Sequence, residues 1–384
     1  MFKLFSNTRL AALLAISPLL AANLAAQDYQ VTNLVSNVTG KANTTDPNLV
    51  DAWGLTRSSS SPWWIADNVT GLSTLYDGSG DIIPLVVTIP AATSGGTGSP
   101  TGAIYNGSTG FQLAPGMPAV FIFCTNDGTI SGWNPGVNPS QAVIKVTKPN
   151  AIYPGATLAT WKGNEYLYAA NVFSHTIDVY DSNFNPVSMP ADAFRIPFTG
   201  DGFGSDHSTE SSDALFQFLN SSQGKGFAPH NVQNIGGVLY VPYTYQDSGF
   251  NEIFGPGLGF LVAFTPGGHF IRAFEYGPWF NSPWGVTIAP NDFGSFSHTL
   301  LVGNLGSGDI LGFNLESGRF VGKLADQNGN TIHIGRLWAL SFGNGGKAGP
   351  YNTLYFTAGP SNETQGLFGS IAPLSSDLTQ GNDQ

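Results

Sequence analysis

The sequence predicts an all-β protein, a six-bladed β-propeller of four-stranded antiparallel blades with one inserted loop and short helix. Three observations carry this. The 384 residues include 49 Gly and 25 Pro set between short runs of Val, Ile, Leu, Phe and Tyr, which reads as turn punctuation between strands and leaves too many breakers for a helix bundle. A strand, strand, turn, strand unit recurs, most plainly as Pro283-Trp284-Gly285-Val286-Thr287-Ile288, Thr299-Leu300-Leu301-Val302-Gly303-Asn304 and Gly308-Asp309-Ile310-Leu311-Gly312-Phe313-Asn314. Aligning innermost-strand starts at Trp53, Thr101, Pro154, His230, Trp284 and Trp338 gives spacings of 48, 53, 76, 54 and 54 residues, near the period of propeller blades.

The elements follow in chain order. Lys3 and Arg9, an apolar run over 10–20 and the small residues Ala25 and Ala26 have the three parts of a secretory signal, too short for a comfortable bilayer span. The expectation is cleavage near Ala26, a secreted or periplasmic monomer, and no transmembrane anchor. Residues 27–374 are then one propeller and 375–384 a flexible tail. The chain carries 14 Lys and Arg against 25 Asp and Glu, a formal charge of −11 that repels phosphate backbones and excludes nucleic acid as a partner. The single cysteine, Cys124, has no partner for an internal disulfide and reads as a buried strand residue.

Within the blades, Trp53-Gly54-Leu55, Trp63-Trp64-Ile65-Ala66-Asp67-Asn68 and Ser73-Thr74-Leu75-Tyr76-Asp77 repeat the order of the unit at 283–314, and Trp63-Trp64 reads as core and edge of a second strand. Tyr76-Asp77, Trp133-Asn134, Tyr180-Asp181 and Phe313-Asn314 close third strands: the aromatic packs between blades while the Asp or Asn side chain takes amides of the next turn. The long spacing holds an insertion over 192–226, with a short helix near 214–219. Closure joins a strand near Tyr29 and Val35 to the last blade, which ends near Leu367 and Ile371.

Asp51-Ala52-Trp53-Gly54-Leu55, Ala66-Asp67-Asn68, Leu75-Tyr76-Asp77-Gly78, Asp127-Gly128-Thr129-Ile130-Ser131-Gly132-Trp133-Asn134, Asn231-Val232-Gln233 and Asn352-Thr353-Leu354-Tyr355-Phe356-Thr357-Ala358-Gly359-Pro360 together resemble an uncharacterised family of secreted, mainly bacterial, propeller-like proteins. Some of its members carry a PEP-CTERM sorting tail, which this chain lacks. A weaker likeness is to NHL-type six-bladed propellers. The resemblance implies fold and export and brings no catalytic residues with it.

Chemistry is thinly signalled. There is no Gly-x-Ser-x-Gly, His-Glu-x-x-His or Gly-x-Gly-x-x-Gly. Candidates for a channel mouth are Asp51, Trp53, Asp67, Asn126, Asn171, His230, Trp284, Asn304 and Trp338, because they sit at inner-strand starts or second-strand ends in successive blades. The three Trp could form an aromatic collar or pack between blades; the Asp and Asn could form a polar ring or cap their own turns. Asp67, Asn171 and Asn304 could hold calcium or another divalent ion, and Asp201 and Asp206 mark a separate acidic loop. A binding scaffold, whose partner is a small molecule, a glycan or a protein, is favoured. A metal-assisted hydrolase of lactone or ester type and a structural envelope component are the alternatives.

Overall fold

The computed structural model describes residues 29–197 and 226–374, and these form six small antiparallel sheets arranged as a six-bladed propeller. The first blade runs Ala52–Thr56, Trp63–Asp67, Leu72–Tyr76 and Val87–Thr88, and the second Pro100–Tyr105, Phe121–Thr125, Thr129–Trp133 and Val143–Thr147. The third has Gly155–Trp161, Asn164–Asn171 and Thr176–Asp181. In the fourth, Gly226–Pro229 and Gln233–Ile235 together edge Val238–Gln246, followed by Gly259–Phe264 and Phe270–Ala273. Pro283–Ile288, Leu300–Asn304, Ile310–Phe313 and Phe320–Lys323 make the fifth.

The sixth blade is built from both ends of the described chain. Leu337–Phe342, Leu354–Ala358 and Leu367–Pro373 are completed by Tyr29–Ser36, which pairs antiparallel from Tyr29 with Pro373 to Ser36 with Leu367. Closing the ring this way covers the outer edge of Leu367–Pro373, which would otherwise stand open. The Tyr29 hydroxyl also donates to the Phe293 carbonyl of the fifth blade at 2.6 Å.

Side-chain alternation drives the packing between blades. Trp63 packs with Tyr355 and Phe368 of the sixth blade, whereas its neighbour Trp64 stacks on Phe121 of the second. Both tryptophans are buried, so Trp63-Trp64, read from the sequence as core and edge of a second strand, is core on both faces. The first blade lies between two others, and its second strand Trp63–Asp67 is buried along its whole length for that reason. Cys124 is buried, and burial pushes its thiol up to about 11.

The aromatic and Asp or Asn pairs do what their order predicts. Asp77 Oδ1 accepts from the amides of Ser79 and Asp81, Asp181 Oδ1 from Asn183 and Asn185, and Asn314 Oδ1 from Glu316 and Ser317. His230, expected at an inner-strand start, instead occupies the break between Gly226–Pro229 and Gln233–Ile235. The signal pattern, the helix near 214–219, Asp201 and Asp206 lie outside the described residues. Among the described residues no helix is long and apolar enough to cross a membrane.

Candidate functional site

Three inner strands begin with the same local geometry. Asp51, Ser282 and Arg336 have φ of 51°, 52° and 57°, in the left-handed region that ordinary residues rarely adopt, and each stands two residues before a tryptophan. Strand register then slips across that tryptophan, between Ala52 and Leu55, Pro283 and Val286, and Leu337 and Leu340. A left-handed residue followed by a bulge re-aims the side chain between them. Trp53, Trp284 and Trp338 consequently meet one another in one buried cluster with Leu305 and Ala339.

The glycines after two of these tryptophans let the strands converge. A Cβ on Gly54 would lie 2.5 Å from the Ala103 amide nitrogen of the second blade, and one on Gly285 would lie 2.5 Å from the Trp338 carbonyl oxygen of the sixth. Trp53 and Trp338 stack at 3.6 Å between ring centroids, and Trp284 meets Trp338 edge-on at 5.9 Å. Trp284 Nε1 donates to the Pro154 carbonyl at 3.1 Å, which reaches past the fourth blade to the start of the third. The indoles therefore form a plug across the axis rather than an open collar.

Polar groups crown the plug. Asp51 accepts from Trp53 Nε1 at 2.7 Å and from Trp338 Nε1 at 3.2 Å. Burial pushes its carboxyl up to about 8; the nearby charges of Glu363 and Glu252 add to this, and the two indole N–H groups pull the other way. His230 lies edge-on to Trp338, with Nδ1 facing the Pro283 carbonyl at 2.9 Å and Nε2 facing Glu252 Oε1 at 3.3 Å. The His230 side chain is fully buried, while that of Glu252 is 28% exposed, so the carboxylate is the end of this pair that meets solvent. Burial is the largest influence on Glu252 and opposes its ionisation, yet the hydrogen bond and electrostatic attraction of His230, a backbone hydrogen bond and the charge of Arg336 together outweigh it and hold the carboxyl below its ordinary value.

Arg336 joins the two sides of the mouth. Its guanidinium lies 4.1 Å from the ring centroid of Phe254, on the fourth-blade loop, and its Nε is 4.0 Å from Glu363 Oε1, on the sixth-blade loop. Ser361, Asn362 and Glu363 have φ of 56°, 55° and 66°, three successive left-handed residues, the kind of stored backbone strain that concentrates at functional sites. Burial raises the Glu363 carboxyl, Arg336 lowers it and Glu252 raises it, with the net shift upward. Apart from His230, which sits in the break of the fourth blade's inner edge, these groups come from connections into inner strands or from loops between second and third strands. In an antiparallel blade those two kinds of connection share one face.

The other candidates are placed differently. Asn171 Oδ1 accepts from the Phe173 amide and its Nδ2 donates to Asp178; Asn304 Oδ1 accepts from the Asn281 amide and its Nδ2 donates to the Trp279 carbonyl. Asp67 is buried, accepts from the Thr74 amide at 3.0 Å and is raised well above its ordinary value, chiefly by burial. These three residues cap strands in the third, fifth and first blades. Asn126 is half-buried beyond the second strand of its blade. Among the described residues no group of three or more His, Cys, Asp or Glu is placed to hold a metal ion.

Glu252, Arg336, Glu363 and Phe254 escaped the sequence reading. Arg336 was discoverable, because it precedes Trp338 by the same two residues that separate Asp51 from Trp53. Glu252 and Glu363 sit in loops of different length with no shared motif.

No family model matches the chain. The uncharacterised protein R648 of Acanthamoeba polyphaga mimivirus is 30% identical over 352 residues, 89% of this chain and 80% of its own length. The uncharacterised protein L690 of the same virus is 30% identical over 356 residues, 89% of this chain and 85% of its own. Among solved structures, a glucose dehydrogenase superposes with a TM-score of 0.52 at 12% identity, covering 90% of this chain and 99% of its own. A protein of unknown function from Bacteroides thetaiotaomicron gives 0.52 at 9% identity, covering 90% and 76%. At such identities these two likenesses show the fold alone.

Proposed function

The chain belongs to the family of the mimivirus proteins R648 and L690, and we propose that it is a binding protein whose ligand site is the axial mouth crowned by Asp51, His230, Glu252, Arg336 and Glu363. One observation carries this reading. Glu252, Arg336 and Glu363 converge partly exposed over a buried indole floor, while Phe173, Ile253 and Phe254 on the same face stay more than a third exposed. Phe173 stacks on Phe250 at 4.7 Å, which extends the apolar shelf across two loops. A few convergent polar groups beside exposed aromatic surface are the general form of a small-molecule site.

Two carboxylates that accept hydrogen bonds, a guanidinium that donates them and a ring face for C–H groups suit a hydroxyl-rich ligand of saccharide type. The family resemblance and the pattern from Lys3 to Ala26 support export, so a secreted or periplasmic protein is part of the same proposal. The bacterial setting and the sorting tails rest on the motif resemblance alone, since the relatives named above are viral.

The test is a thermal-shift screen of the purified protein against mono- and oligosaccharides, followed by titration. A saccharide that raises Tm and binds at least about tenfold more weakly to Phe254→Ala is the expected result. A ligand bound equally well by wild type, Phe254→Ala and Glu363→Gln would place binding elsewhere and sink this assignment.

A further inference from the structure

On the face opposite the mouth, a groove of about 710 Å³ opens where the first blade meets the sixth and the second, a volume within the range of small-molecule sites. Its walls come chiefly from three connections: 57–62 between the first two strands of the first blade, 77–86 between its last two, and 343–353 between the first two strands of the sixth. The two blades are clamped together there. The Gly78 amide donates to the Lys347 carbonyl at 2.8 Å, the Tyr355 hydroxyl donates to the Gly78 carbonyl at 3.0 Å, and Trp63 Nε1 donates to the Ala348 carbonyl at 3.0 Å. A Cβ on Gly78 would stand 2.4 Å from Gly349 Cα, so this approach requires glycine. The walls are therefore fixed in advance, which spares a ligand the cost of ordering them.

The lining carries three polar groups left over from folding. Trp64 is 3% exposed and stacks on Phe121 at 4.1 Å, yet among the described residues its indole N–H has no acceptor, whereas a buried indole N–H ordinarily finds one. Lys347 is exposed and has no acidic partner among the described residues. Asp77 takes the Ser79 hydroxyl and the amides of Ser79 and Asp81 all on Oδ1, which leaves Oδ2 for a ligand. Partial burial works against its charge, but these hydrogen bonds outweigh it and hold the carboxyl below its ordinary value. Ile83 and Pro350 add apolar surface. An unpaired cation, an unpaired anion and a spare donor beside an apolar wall match a ligand that brings one charge of each sign. We propose that this groove binds an apolar amino acid in its zwitterionic form, free or as a short peptide, with the ammonium on Asp77 Oδ2, the carboxylate on Lys347 Nζ and Trp64 Nε1, and the side chain against Ile83 and Pro350. The site is independent of the axial mouth, because the two lie on opposite faces.

The experiment titrates the purified full chain with leucine, phenylalanine, leucyl-leucine and trileucine, and with the N-acetyl and C-amide forms of each. At least one zwitterion should bind, and blocking either of its ends should weaken it at least about tenfold, the size of one lost charge-assisted contact. Lys347→Gln should weaken free-acid ligands by that factor and leave the C-amides unchanged. Asp77→Asn should weaken free amines and spare the N-acetyl forms; its turn is retained, since Asn314 Oδ1 accepts amides at the corresponding turn of the fifth blade. In NMR spectra the indole N–H resonance that Trp64→Phe removes should be the one that moves on ligand addition. Tighter binding of the free amino acids identifies a single amino acid as the ligand, and tighter binding of the di- and tripeptide identifies a peptide; either order supports the site. If no zwitterion in the panel binds, or if binding is unchanged in both Lys347→Gln and Asp77→Asn, the proposal is overturned.

Discussion

Trp53 and Trp338 lie on one another with centroids 3.6 Å and planes 23° apart, and the indole N–H of each donates to the same carboxyl, that of Asp51. The first and last inner strands are thus tied at the axis by one buried acid, while the sixth blade is tied at its outside by Tyr29–Ser36. Ring closure is secured at both radii.

The carboxyl of Asp51 makes stability depend on pH. With its folded value near 8 and an ordinary value of 3.8, the unfolded chain loses the proton first as pH rises, so the stabilising contribution is complete below about 3.8 and is lost progressively up to about 8. Asp51→Asn removes this titration but leaves one indole N–H without an acceptor, at a cost of about 1–3 kcal/mol. Denaturation curves at a series of pH values should show the variant weaker than wild type near pH 4, with the gap closing and then reversing before pH 8, because a carboxyl raised from 3.8 to about 8 forfeits about 1.4 kcal/mol per pH unit over that span, more in all than the cost of the lost acceptor. A constant gap would mean that Asp51 does not hold its proton in the folded state.

The indole plug should be worth more than its polar crown. Trp338→Ala empties the centre of a cluster that Trp53, Trp284 and His230 all touch, and removal of a large buried aromatic costs about 3–5 kcal/mol. Urea unfolding should show that loss, with Trp338→Phe retaining a substantial part of the stability. A loss under about 1 kcal/mol would show that the plug collapses without cost.

Backbone approach makes two glycines irreplaceable. Gly54→Ala and Gly285→Ala each put a methyl group 2.5 Å from backbone of the neighbouring blade, an overpacking that costs at least about 1–3 kcal/mol because main chain cannot rotate away. Gly335→Ala, with nothing within 4 Å, is the control and should fall within about 0.5 kcal/mol of wild type or above it. Thermal melts of the three variants decide this.

Truncation separates the closing strand from the residues that precede it. A chain starting at residue 27 keeps Tyr29–Ser36 and should melt as the full chain does, whereas one starting at residue 37 exposes the whole edge of Leu367–Pro373. The shorter chain should be cut rapidly by protease and aggregate through that edge. Equal protease resistance would show that the ring closes without its outer strand.

Much of this architecture was legible in the chain because it is periodic. Six landmarks, five of them at inner strands and with four of the five spacings between 48 and 54 residues, the Trp-Gly pairs at Trp53 and Trp284, and the Asp or Asn after the third-strand aromatics Tyr76, Trp133, Tyr180 and Phe313 are local signals repeated under one geometric demand. Even the closing strand was visible, since Tyr29 and Ile371 stand in apolar alternating runs at opposite ends of the propeller. Where the demand is local, as for Asp77, Asp181 and Asn314 accepting amides two residues on, residue type and position suffice.

The mouth is another matter. Glu252, Arg336 and Glu363 belong to loops 84 and 27 residues apart in order, and neither spacing carries a pattern. Their meeting depends on how far the fourth-blade loop leans over the axis toward Arg336, which packing of Phe254 against that guanidinium decides. The same holds for His230, whose two ring nitrogens found partners in Pro283 and Glu252 only once a strand broke around it. By itself, then, the sequence determined blade number, strand order and turn chemistry, since each follows from short-range patterning. Only the tertiary structure decided that three tryptophans plug the axis and which acids stand over them, since those side chains meet only after six sheets close into a ring.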